Sequence, residues 1–367
     1  MSLQKHHHTH TVTTADGAVV SYEIRGLQES EVPQWAEFCA SIFAYKASPP
    51  PASYFERHFF NDPNRDASMI RVAFFGTEMV ASCRVFLRTI SLGRNGSTCN
   101  AGGIGEVCTS ADHRRRGLSK VLLQSAISIM NEHQLPLSLL HAAPAFFPVY
   151  EASGYSCTQT RWSVLKISKN KLTEYNKSKE DGCIIVRPAS FPKDSSQLQA
   201  LHKHYTEDRI AGTIIRSRKY WDEYLSVELK DSLWVAAAKQ EEDDETSNLL
   251  LGWMSIRPRN GRFQLREFGV NAEPSTARKV FPVLLAKCLE SETIIDDSSD
   301  VISLAIPSFV MEDLQKDQKD LPFIEWAAVE SDDDQGWMYK TLEAGSVDMP
   351  NIIQEGTNHL VWPSDSF

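Results

Sequence analysis

The chain carries no surplus of basic charge: 38 lysines and arginines stand against 48 aspartates and glutamates, a formal net charge of −10. Neutralising nucleic-acid phosphates takes a clustered basic surface, so nucleic acid is not expected as a general partner. Cationic ligands such as amines suit an acidic surface better. No apolar run approaches the roughly 18 residues that carry a helix across a bilayer. The N-terminal MSLQKHHHTHTVTTADG is polar and lacks the apolar core of a signal peptide. No membrane partner is therefore expected. The seven cysteines, at positions 39, 83, 99, 108, 157, 183 and 288, are odd in number and include no Cys-x-x-Cys. That pattern supports neither a disulfide framework nor a zinc site. No metal is expected, and a reducing, cytoplasmic compartment is the simplest setting. His6, His7, His8 and His10 are read as part of a solvated, flexible tail over residues 1–17.

What is present is an ordinary globular composition, 42% hydrophobic and 23% charged over 367 residues, enough for two domains with sizeable cores. Alternation predicts a strand over 18–24. Apolar residues at helical spacing (Val32, Trp35, Phe38, Cys39, Ile42) predict a helix over 27–43. An aromatic-rich short helix or irregular segment over 54–60 precedes a hairpin whose strands, 69–75 and 79–90, turn at Gly76 and Thr77. A strand over 104–109, a helix over 118–133, a short strand over 137–140 and a short helix over 144–153 follow. Gly154 stops that helix, and a closing strand covers 155–167. The polar stretch 169–183 reads as a linker. Beyond it, strands over 184–187, 233–239, 249–257, 263–270 and 301–306 alternate with helices over 194–205 and 276–289, a loop entering a helix covers 212–225, and a charged loop ends the series.

The same order of elements thus occurs twice, which points to a diverged internal duplication. Residues 104–127 set against 265–289 bring Glu106 to Glu267. With one residue of slip, Val121-Leu122-Leu123 meets Val283-Leu284-Leu285. The expected fold class is α/β with mixed sheets, a first domain over 18–168 and a related, degenerate one over 184–367.

Chemistry concentrates in the first copy. An apolar strand enters a polar turn holding Arg114, Arg115, Arg116 and Gly117, and a helix opens at once with Leu118 and Ser119. Unpaired N–H groups and the positive end of the helix dipole gather there and favour phosphate oxygens. Glycine serves where backbone must approach a ligand or take positive φ. Three cations at the positive end of a helix are unfavourable without an anion, so the turn reads as a phosphate cradle. The second copy has Thr276, Ala277, Arg278 and Lys279 in that place, without the glycine, and is not expected to bind a nucleotide.

On these residues the first half resembles the GNAT superfamily of acetyl-CoA-dependent N-acetyltransferases. The family signature Arg/Gln-x-x-Gly-x-Gly/Ala stands here as Arg114-Arg115-Arg116-Gly117-Leu118-Ser119, with Ser119 a mild departure. The resemblance covers residues 18–167. It implies a GNAT-fold catalytic domain, acetyl-CoA as donor and an amine as acceptor. It implies that the strand Val107-Cys108-Thr109 runs along the pantetheine, with backbone groups of Val107 and Thr109 pairing its amides. The turn from Arg114 to Ser119 would hold the pyrophosphate, with charge from Arg115 or Arg116. In Tyr150-Glu151-Ala152-Ser153-Gly154-Tyr155, Tyr150 is the implied acid for the leaving thiolate, and a phenol with pKa near ~10 suits that task.

The two-copy arrangement resembles the Eis (enhanced intracellular survival) type of acetyltransferase, and equally the fungal lysine N6-acetyltransferase type. The Eis pattern adds a sterol-carrier-like third domain, for which the 30 residues after Trp337 leave no room. A hexamer and broad aminoglycoside specificity are therefore not expected, and the oligomeric state stays open. The chain closes on an apolar and aromatic run, His359 to Phe367. In Eis-type enzymes the terminal carboxylate is the base, so the resemblance implies that role for Phe367. A base is needed because an alkyl amine of pKa ~10.4 is only about a thousandth neutral at pH 7. Phe367, Glu106 and His141 remain the candidates. Phe43, Tyr45, Tyr54, Phe55, Phe59 and Trp221 are expected walls of the acceptor pocket. The expected activity is acetylation of a small lysine- or polyamine-like amine. Acetylation of a lysine in a peptide, or acyl-CoA binding without catalysis, are the alternatives.

Overall fold

The structure is a computed structural model that describes residues 7–14, 17–45, 48–93, 96–179, 183–239, 249–271, 274–292, 299–316 and 321–365. The chain opens with β1 (His8–Thr13) and β2 (Val19–Gly26), paired antiparallel. Part of the expected tail is therefore an edge strand; alternate threonines and Val12 favour extended backbone. Helices α1 (Val32–Ile42) and α2 (Ala52–Phe60) follow. Pro33 fits the first turn of α1, where its missing N–H is not needed, and Val32, Trp35, Ala36 and Cys39 face inward. Next come β3 (Ile70–Phe75), β4 (Glu78–Leu92), β5 (Thr98–Thr109), α3 (Leu118–Glu132), β6 (Leu137–His141), α4 (Phe147–Glu151) and β7 (Ser156–Thr160). On α3, Leu122, Leu123, Ala126, Ile129 and Met130 recur at spacings of three and four and are buried against the sheet.

The closing strand expected over 155–167 is two strands. Arg161 separates β7 from β8 (Trp162–Ser168), and the two lie in different sheets. The expected linker over 169–183 holds a helix, α5 (Lys169–Ser178), capped by the Ser168 hydroxyl, which accepts from the Lys171 N–H at 3.2 Å. The second half continues through β9 (Ile184–Pro188), α6 (Ser195–His202), β10 (Ala211–Ile214), α7 (Ser226–Leu229), β11 (Trp234–Ala238), β12 (Leu250–Arg259), β13 (Arg262–Val270), α8 (Pro274–Ser291) and β14 (Val301–Pro307). It closes with α9 (Ser308–Gln315), where a charged loop was expected, then β15 (Glu330–Ser331), β16 (Asp334–Thr341) and α10 (Met349–Gln354). Thr276 to Lys279 lie inside α8 rather than in a turn before it. Among the described residues no helix is long and apolar enough to cross a membrane.

One sheet has the order β1-β2-β3-β4-β5-β6-β16-β7, with β10 also on β4, and the other β15-β8-β14-β13-β12-β11-β9. Antiparallel β12/β13 and parallel β13/β14 repeat the relation of β4/β5 and β5/β6. The halves exchange strands: β16 lies between β6 and β7, while β8 lies between β14 and β15. Each sheet has its own apolar core. The core of the second takes in Trp162, Val164, Leu165 and Ile167 of β8 and, from the chain's end, Leu360 and Trp362.

The feature that creates the site is a divergence of two strands. Parallel pairing of β5 with β6 stops at Ile104 opposite Leu140, while β5 runs on to Thr109 along β4 alone. A register shift lies between Ser82 and Arg84, opposite Cys108 and Gly105, and Glu106 in that bulge takes φ +52°. A bulge bends its strand and re-aims the extra side chain. Here it turns Glu106 toward the opening wedge.

Candidate active site

At the end of β5 the chain makes a 3-10 turn over Ala111–His113 and reaches the arginines. Arg115 (φ +61°) and Gly117 (φ +77°) are left-handed, and α3 starts immediately after. The first N–H groups of a helix have no intrahelical acceptor, so this turn presents donors to an anion. Arg114 and Arg115 are exposed. Arg116 is half-buried and donates to the Tyr22 hydroxyl at 2.5 Å, while its carbonyl lies 3.0 Å from His10 Nε2. Leu118 is buried, and the Ser119 and Thr109 hydroxyls are 3.2 Å apart. The Cys108 thiol points away from the wedge, 4.0 Å from the buried Cys39 thiol on α1.

Inside the wedge lies a cavity of about 520 Å³. Ile104, Gly105, Glu106 and Val107 of β5 line it, with His141 at the end of β6, Ala142 and Ala143 just after it, and Tyr150 of α4. Phe43, Tyr45, Tyr54 and Phe55 wall it as expected. Phe59 and Trp221 do not: Phe59 is buried in the core of α1 and α2, and Trp221 packs on Trp253 and His202 in the second half. Phe367 lies outside the described residues. The tail is described to Asp365, whose carboxylate is held by Arg216 (2.7 and 3.1 Å) and the Tyr220 hydroxyl (3.1 Å).

The titratable groups of the cavity are held very differently. Burial pushes the Glu106 carboxyl up, opposed by the Arg84 guanidinium at 3.5 Å. Arg84 itself stacks 3.9 Å from the Phe86 ring centre and donates to the His58 carbonyl at 3.2 Å. Burial pushes the Tyr150 phenol up to about 12, so it keeps its proton at neutral pH; its ring meets Tyr155 edge-on. His141 Nε2 is 3.0 Å from both carboxylate oxygens of Asp334 on β16. Burial would raise the Asp334 carboxyl, but His141 and the Gly336 N–H hold it below its usual value.

A second histidine, His58 of α2, also lines the cavity and was missed in the sequence. Its Nε2 meets Glu228 of α7 at 3.2 Å, its Nδ1 meets the Tyr224 hydroxyl at 3.4 Å, and Tyr54 lies over the ring at 4.0 Å. In the sequence His58 is one more ring on an aromatic helix, four residues from Tyr54, with nothing local to mark it out.

In the second half, Glu267 on β13 is fully buried and saturated. Arg216 reaches it at 2.5 and 3.0 Å, Trp253 Nε1 at 3.2 Å, and Ser364 binds it from the tail.

Residues 23–158 match the family model described as an acetyltransferase (GNAT) domain. This segment is a GNAT acetyltransferase domain. Domains of this family are acyltransferases that move an acyl group from acyl-CoA to an amine. No curated protein matches the chain in sequence. The fold is similar to that of the GCN5-related N-acetyltransferase of Kribbella flavida, at 17% identity and TM-score 0.58, over 88% of this chain and 71% of that one. Eis1 of Mycobacterium abscessus is similar at 14% identity and TM-score 0.53, over 87% and 74%. The N-myristoyltransferase of Saccharomyces cerevisiae, solved with bound myristoyl-CoA, is similar at 11% identity and TM-score 0.51, over 93% and 89%. At these identities the likeness is one of fold, and it extends through both GNAT-like halves.

Proposed function

We propose that the protein transfers the acetyl group of acetyl-CoA to the primary amine of a small, lysine- or polyamine-like molecule. The observation that carries this reading is the single cavity that gathers Glu106, His141 and Tyr150 behind aromatic walls. Its volume, about 520 Å³, falls within the roughly 300–1,000 Å³ usual for small-molecule sites. Aromatic faces and a carboxylate suit an ammonium group.

The donor's pyrophosphate would rest on the N–H groups from Arg114 to Ser119, with charge from the exposed Arg114 and Arg115. The backbone of Val107 to Thr109, which β6 leaves unpaired, would run along the pantetheine arm. The ammonium is drawn to Glu106 and gives a proton to one of Glu106, His141 and the Phe367 carboxylate. The free amine attacks the thioester carbonyl, and a backbone N–H of Val107 to Thr109 receives the developing oxyanion. The C–S bond then breaks, the thiolate takes the Tyr150 proton, and the phenolate recovers one from solvent. No cysteine nucleophile enters, in keeping with the inward-facing Cys108. The second half, with Glu267 locked and no glycine turn, would act as a scaffold rather than a second coenzyme site.

A screen of acetyl-CoA consumption over diamines, polyamines, free lysine and lysine-containing peptides tests this. Turnover of small amines is the expected result. Turnover of peptides alone would favour a peptide acetyltransferase, and turnover of nothing would reject both. Extending the chain beyond Phe367 tests the terminal carboxylate: undiminished activity rejects it as the base.

A further inference from the structure

We propose that Asp334, brought into the first sheet on the exchanged strand β16, orients His141 as the group that takes the proton of the acceptor amine. This deepens the acetyl-transfer reading and rests on it. The two histidines of the cavity can be told apart by where their ring nitrogens go. His58 is buried, and both its nitrogens are engaged, by Glu228 and by Tyr224. His141 is 41% exposed; its Nε2 is taken by Asp334, and among the described residues its Nδ1 has no partner.

A carboxylate can only accept, so Nε2 carries the hydrogen and the lone pair of the neutral ring stands on Nδ1. A base oriented by a third group in this way is the general arrangement for proton abstraction.

The support around the pair is built to fit. The Gly336 N–H donates to Asp334 Oδ1 at 2.8 Å, and the Gly336 carbonyl accepts from the Ala142 N–H at 2.9 Å. A Cβ on Gly336 would fall 2.5 Å from His141 Nε2, so only glycine leaves room for the ring. The Trp337 ring meets the imidazole edge-on at 5.1 Å. In the reaction the ammonium N–H bond breaks and an Nδ1–H bond forms. Asp334 stabilises the imidazolium, and the exposed ring returns its proton to solvent. Asp334 is thus a positioning residue, and it belongs to the half of the chain that holds no coenzyme turn.

Three variants test this. His141→Ala should lower kcat on the order of 10²-fold, the usual contribution of a positioned base, with the KM for acetyl-CoA unchanged. Added imidazole should restore part of the rate. Asp334→Asn and Gly336→Ala should each also lower kcat, by losing the ring's orientation. Full activity in His141→Ala, or a loss that imidazole does not relieve, overturns the proposal. The ¹⁵N shifts of His141 read its tautomer without any turnover. The Nε2–H form in the native protein, lost in Asp334→Asn, is expected, and an Nδ1–H form overturns the pair whatever the amine screen finds. The Nε2–H form together with no turnover on any amine would instead take down the acetyl-transfer reading, and this inference with it.

Discussion

Tyr150 shows what burial does to a single group. Its phenol is pushed up to about 12, so the proton stays in place at neutral pH. A donor to a thiolate needs that retention. Tyr150→Phe keeps the ring that packs on Tyr155 and removes only the hydroxyl. Steady-state kinetics should show kcat reduced on the order of 10–10²-fold, with the KM for acetyl-CoA and the melting temperature little changed. An unaltered kcat would remove Tyr150 from the mechanism. Tyr150, Glu106 and His141 were legible in the sequence because they lie within one strand-turn-helix-strand-helix run, where short spacing and local element type limit where a side chain can be. Asp334 and His58 were not. Asp334 stands 193 residues from His141 and has no local pattern that marks it. His58 reads as one more ring in an aromatic helix, and the carboxylate that sets it apart, Glu228, lies 170 residues away.

At the scale of the element, the turn into α3 depends on backbone that takes positive φ. Gly117 holds φ +77°, with only the His10 ring near the place of a Cβ, at 3.6 Å. Alanine there would meet strain rather than a clash, costing roughly 1–2 kcal/mol. Gly117→Ala should therefore raise the KM for acetyl-CoA several-fold while sparing kcat, and Gly117→Asn should do less harm, because asparagine tolerates this region. Equal effects of the two variants would mean that bulk, not conformation, matters at the turn. The strand β1 was hidden in the sequence by its histidines, which read as a solvated tail. Pairing with β2 along six registers and the His10 contact with the Arg116 carbonyl make it part of the turn's support.

For the whole molecule the decisive feature is the reciprocal exchange of β8 and β16. His359 marks the junction. It is buried between the Thr160 hydroxyl of β7 (2.6 Å) and the Tyr339 hydroxyl of β16 (2.7 Å), and burial holds its imidazole down at about 3. The unfolded chain takes up that proton near pH ~6.5 while the folded chain refuses it. Stability from this group is thus fully present above that pH and is lost as the pH falls toward 3, at up to about 1.4 kcal/mol per pH unit. The buried His202, also held well below its usual value, acts in the same direction. Urea unfolding between pH 7 and 4 should show a shallower pH dependence in His359→Gln than in the native protein. Equal slopes would show that His359 does not stay neutral in the fold.

The sequence by itself determined the two-copy order of elements, the glycine turn into α3 at Arg114 to Ser119 and the approximate places of Glu106, His141 and Tyr150. Each of these follows from periodicity, glycine placement and side-chain chemistry within a few dozen residues. Only the tertiary structure decided which sheet each strand joins. Alternation marks a strand without naming its neighbour, so β7 and β8 read as one strand and β16 as none. Because the second half supplies that neighbour, it also supplies Asp334 as the partner of His141 in the first.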